Sequence, residues 1–183
     1  EMNHGHSVNA AKRDRHAAGG TDYTAEAWEG FIKGRALLAA TAGSELTADQ
    51  MTELKGYRDQ ALQAWEGAIA ATVAHYINDT LQDMNKIGTD AYSFGDHAKH
   101  WGELKGFALG FQFSPHSPLS DENFVAFHDL VGTAPVLEDD AATADVDELA
   151  EYAADLIEAR DMLQAAYSFD ALNMGDENGE NGW

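Results

Sequence analysis

Histidine and carboxylate side chains at helical spacing are the residues of this sequence best suited to chemistry. The densest set is Asp96-His97-Ala98-Lys99-His100-Trp101-Gly102-Glu103. On a helix Asp96 lies one turn before His100 and Glu103 three residues after it, so all three can project from one side. A His and a carboxylate placed this way can share a divalent ion, as the Glu-x-x-His pairs of di-iron bundles do in reverse order. Fourteen Glu and eight His in 183 residues give about 0.6 His-x-x-Glu matches by chance, so a plain hydrogen-bonded pair inside a helix contact also fits the spacing. A second set is His75, Asp79 and Asp83, each one turn from the next. If their helix neighbours the 96–103 segment in antiparallel fashion, His75 approaches that cluster; otherwise it is a core histidine bonded to a nearby acceptor.

The remaining chemistry-bearing residues are more scattered. His4, His6 and His16 form a histidine-bearing arm that reads either as a metal scavenger or as an adventitious binder. His128 sits alone on a short helical pattern. The closing Asp176-Glu177-Asn178-Gly179-Glu180 carries oxygen ligands around a glycine but lacks the spacing and terminal Glu of an EF-hand loop. Neither a nucleophile elbow nor a glycine-rich phosphate loop occurs, so covalent hydrolysis and nucleotide binding have no local signal.

The elements that must position these groups are helical. From Thr24 the residues Trp28, Phe31, Ile32, Arg35, Leu38 and Ala39 keep a helical period up to Gly43. Thr47 and Gln50 have the form of a capping box, and Met51, Leu54, Ala61, Trp65, Ile69, Val73, Tyr76 and Met84 then hold one face for almost forty residues. Gly56 and Gly67 are the weak points of that helix. Asp96 opens a third helix that ends at Ser114-Pro115; Ser120 opens a short one that Gly132 closes; Asp145 and Glu148 open a last long one through Tyr167. No segment alternates as a strand would. The expectation is an all-α fold, an antiparallel bundle of about four main helices plus short ones, with residues 1–20 as a mobile arm, 21–172 as the bundle and 173–183 as a flexible acidic tail. Ala27-Trp28-Glu29-Gly30 recurs as Ala64-Trp65-Glu66-Gly67, which reads as core-filling Trp beside close-packing Gly, or as the trace of a duplicated hairpin.

Composition narrows the classes. With 32 Asp plus Glu against 11 Lys plus Arg the formal charge is −21, which excludes a duplex-binding protein because phosphate neutralisation needs clustered cations. No apolar run reaches the roughly 18 residues of a membrane span. The chain has no cysteine, so disulfides, thiolate nucleophiles and soft metal sites are absent together. A start at Glu1 without a basic-then-apolar leader reads as a processed form or an excised piece.

Two segments carry a family resemblance. Phe31-Ile32-Lys33-Gly34-Arg35-Ala36-Leu37 and His100-Trp101-Gly102-Glu103-Leu104-Lys105-Gly106-Phe107-Ala108-Leu109-Gly110-Phe111-Gln112-Phe113 resemble the C-terminal half of a family of bacterial envelope proteins related to the imelysins. That resemblance implies an all-helical fold of two bundle-like halves, export to the periplasm or cell surface, and a link to uptake of iron or another metal. His100 and Glu103 stand where the family's Gly-x-His-x-x-Glu signature has its His and Glu, while Ala98 replaces the glycine. No segment matches the family's N-terminal half, so the expected partners are that missing half or further copies of this chain.

Residues and resemblance together give the leading expectation: a non-enzymatic envelope protein that binds a divalent ion (iron, zinc, copper or calcium) through His100 and Glu103, assisted by Asp96, His97 or His75. An acidic helical interaction module with a purely structural His-x-x-Glu pair is the alternative, and an imelysin-type metallopeptidase the third.

Overall fold

The computed structural model describes residues 2–137 and 146–183, with no account of the side chains of residues 2–4, 146 and 147. The loop expected around Glu138-Asp139-Asp140 and the Asp145 start of the last helix therefore lie outside the described residues, as does the side chain of His4. The chain is an all-α helical bundle with no strand among the described residues. Its helices are α1 (Met2–His16), α2 (Tyr23–Ala40), α3 (Ala48–Met84), α4 (Phe94–Ala108), α5 (Asp121–Val131) and α6 (Val146–Tyr167), with short 3-10 turns at Leu109–Phe113 and Ala171–Asn173. No helix among the described residues is long and apolar enough to cross a membrane.

Local chemistry explains most of these boundaries. The Thr47 hydroxyl accepts from the Gln50 N–H at 3.2 Å while Gln50 Oε1 accepts from the Thr47 N–H at 2.9 Å, closing both halves of the capping box. α3 then runs unbroken for 37 residues, roughly 55 Å; Gly56 and Gly67 do not interrupt it. α4 begins at Phe94 rather than at Asp96, because Ser93 adopts the extended conformation and its hydroxyl accepts from the Asp96 N–H at 3.3 Å. Asp96 is left in the first turn, where a carboxylate meets the positive end of the helix dipole. Ser120 caps α5, and Gly132, with φ at +74°, turns the chain out of it.

α3 is the axis of the molecule. Its inner half, from about Gly67 to Met84, packs against α1, α4 and α6 through Ala68, Ala71, Ala74, Ile77 and Leu81, all buried. The facing core supplies Leu104, Phe127, Val131, Leu156 and Leu163, each fully inaccessible. Its outer half pairs chiefly with α2 as a hairpin. The repeated Ala-Trp-Glu-Gly marks the α2–α3 contact from both sides: a Cβ on Gly30 would lie 2.6 Å from the Tyr57 carbonyl, and one on Gly67 would lie 2.8 Å from the Tyr23 ring. The glycines do pack closely. Trp28, however, does not fill the core: it is 67% exposed.

Both ends of the chain are docked. The first twenty residues, expected to be mobile, contain α1, which buries Ala10 and Arg13 against the bundle. Residues 173–183, expected as a flexible tail, fold back over α3. Trp183 is 5% exposed, its indole N–H donates to the Arg13 carbonyl at 3.2 Å, and its own carbonyl accepts from Asn78 Nδ2 at 3.3 Å. Arg160 ties the fold-back down, donating to Asn78 Oδ1 at 2.6 Å and to the Asp176 carbonyl at 2.9 Å.

Candidate functional site

A cluster of two imidazoles and two carboxylates lies where α4 crosses the inner half of α3. Because His75, Asp79 and Asp83 are each one turn apart, α3 presents them in a row; α4 faces them with His100. Asp79 Oδ2 lies 3.3 Å from His75 Nε2 and 3.7 Å from His100 Nε2. His100 Nδ1 lies 2.7 Å from Asp83 Oδ2. An ionised carboxylate only accepts, so the proton of that short bond belongs to His100 Nδ1. This fixes the ring orientation and turns Nε2 toward Asp79.

The surroundings set the electrostatics. Asp83 is nearly inaccessible and its second oxygen accepts from Lys86 Nζ at 2.9 Å. Burial pushes the His75 imidazole below its usual range, helped by the charge of Arg13 and opposed by Asp79 and a hydrogen bond to the Trp183 backbone. Arg13 is itself 4% exposed, and burial lowers its guanidinium too. Tyr76 shares the cluster, its ring 6.2 Å from His100, and burial together with a bond to Glu103 raises its hydroxyl to about 12.

The structure redistributes the residues singled out from the sequence. His75 and His100 come together, and Asp79 and Asp83 join them. Glu103 does not: it forms an ion pair with Lys99 at 3.4 Å and accepts from Tyr76, with neither a hydrogen bond nor an ion pair to His100. Asp96 is exposed on the first turn of α4. His97 turns inward, fully buried, its Nδ1 3.2 Å from the Tyr92 hydroxyl, and burial holds its imidazole below the usual range. The physical reason is helix phase. The buried stripe of α4 is His97, Leu104 and Ala108, so Asp96 and Glu103 fall at its margin while His100 meets α3. Asp79 and Asp83 could have been ranked as ligands from their spacing to His75; what a single helix does not reveal is which α4 residue answers them.

Imidazole and carboxylate are ligand types that first-row ions take. As the side chains stand, however, no group of three or more His, Asp or Glu among the described residues is disposed to hold a metal ion; they form a chain of ion pairs.

The other candidates do not converge. His6 packs on the Trp65 ring at 5.2 Å while His16 is exposed at the far end of α1. His128 stacks edge-on with Phe124 and Phe127, and burial lowers its imidazole. The Asp176 carboxylate is engaged by the N–H groups of Glu180 and Asn178 and by Asn181, which hold it below its ordinary value. That bonding closes a turn rather than a calcium loop. No protein-family model, no curated protein and no solved structure matches the chain.

Proposed function

We propose that the chain is a non-enzymatic metal-handling protein of the imelysin-like, exported kind, taking a divalent ion between His75, Asp79 and His100. The observation that supports this reading is the Asp83–His100–Asp79 relay. A buried carboxylate that holds one imidazole nitrogen and frees the other is the outer-shell arrangement that orients metal-bound histidines. Two imidazole nitrogens and one carboxylate favour iron, zinc or copper over calcium. Glu103, Asp96 and His97 lie outside this donor set.

Cobalt(II) is a visible probe for such a site. Titrating the full chain should give d–d absorption bands with release of protons, since ligands bind in their deprotonated forms. Asp79→Asn and His100→Ala should abolish the bands, and Glu103→Gln should keep them. Absorption that is absent, or unchanged in His100→Ala, would remove the site.

The ion pairs themselves favour a second reading, in which the cluster braces α4 on α3 inside an acidic interaction module. His100→Ala then costs about 1–3 kcal/mol of stability, through the acceptors it leaves unpaired, and leaves metal content unchanged.

A further inference from the structure

The outer hairpin exposes a group of large apolar side chains, among them Phe31, whose ring also packs on that of Trp65 at 5.1 Å. On α2, Trp28, Phe31, Ile32 and Leu38 share one face and are 67%, 49%, 41% and 49% exposed; Met51, at the start of α3, is 41% exposed. Beside them a groove of about 500 Å³ runs between α2 and α3, floored by Leu54, Tyr57 and Ala61. Together these side chains offer on the order of 500 Å² of apolar surface, at the upper end for a monomer.

We infer that this hairpin is the pairing face of a homodimer, with a second copy of the chain laying its own α2–α3 hairpin against it. Area supports that occupant: two such patches in contact come to about 1,000 Å², the threshold for a specific interface. Charge supports it as well. Residues 28–59, which span the patch, carry five carboxylates and four cationic side chains, a net −1, while the other 151 residues carry −20. The hairpin is thus where two copies of a strongly acidic protein can meet with little mutual repulsion. Arg35, on the groove rim and without a carboxylate within 4 Å among the described residues, is free to lie against an aromatic ring of the partner copy. Because repulsion between the bodies opposes pairing and exposed charges are screened by salt, raising salt tightens the dimer.

Sedimentation equilibrium of the full chain tests this. The expected mass is twice the 19.8 kDa of one chain, falling to a single chain in Trp28→Glu and Leu38→Glu, whose thermal melts at low concentration stay those of the parent monomer. The chain has no cysteine, so Ile32→Cys should give a disulfide-linked pair on mild oxidation, and Glu122→Cys, on α5, should not. A monomer at every concentration overturns the inference, including one that binds an apolar dye at the hairpin, which would indicate a foreign partner. So would a dimer indifferent to Trp28→Glu. None of these readouts involves the ion cluster, so its failure and that of the dimer are separable.

Discussion

The two halves of α3 solve opposite problems with one continuous helix. The inner half buries small residues and a titratable cluster: Ala68, Ala71 and Ala74 let neighbouring helices close in, and the space next to them holds His75, Asp79 and Asp83. The outer half pairs with α2 through Gly30 and Gly34, and the large apolar residues of that hairpin are left facing water. The inner half therefore carries the core and the candidate chemistry, and the outer half the proposed pairing face.

The sharpest break of this contrast is a matched pair of truncations. Ile77→Ala, at a fully buried site, should cost about 2–5 kcal/mol in urea unfolding, whereas Trp28→Ala, at a 67% exposed site, should change monomer stability by no more than about 0.5 kcal/mol. Equal costs would mean that the hairpin face is core after all. Glycine gives the next test. Gly30→Ala forces a Cβ onto the Tyr57 carbonyl and should loosen the hairpin by about 1–3 kcal/mol. Gly56→Ala meets nothing within 4 Å and should stabilise by up to about 1 kcal/mol. A destabilised Gly56→Ala would show that the outer half of α3 is packed more tightly than its exposure says.

Acid should act on the inner half. The imidazoles of His75, His97 and His128 all lie below their usual range because burial disfavours the charged form. The unfolded chain consequently binds more protons than the folded one as pH drops below the ordinary histidine value, and stability falls with it. Urea midpoints should decrease from pH 7.5 to 5.5, with a shallower decline in His97→Gln than in the parent. A flat profile would mean that these rings take up protons in place. The smallest effect belongs to the margin of α4: Asp96→Ala should lose only about 0.3–1 kcal/mol, its interaction with the helix dipole.

What could be read in advance follows from what is local. The Thr47–Gln50 box, the Ser120 cap and the Gly132 stop are decided by side chains within a turn of the backbone groups they serve, and each stands where its sequence puts it. α1 could not be read in this way, since it buries Ala10 and Arg13 rather than large apolar residues and shows no hydrophobic period. Nor could the docking of Trp183, which depends on Asn78 and Arg160, over a hundred and over twenty residues away in sequence. The candidate site divides along the same line. His75, Asp79 and Asp83 form a row because one helix sets their spacing, but His100 rather than Glu103 completes it because of how α4 is rotated against α3.

The most direct test of the proposed ion site is metal content after native purification, measured by inductively coupled plasma mass spectrometry on the full chain and its variants. About one divalent ion per chain should be found in the parent, in Glu103→Gln and in Asp96→Ala, and none in Asp79→Asn or His100→Ala. A parent without metal, or a His100→Ala chain that keeps the parent's complement, would contradict the account.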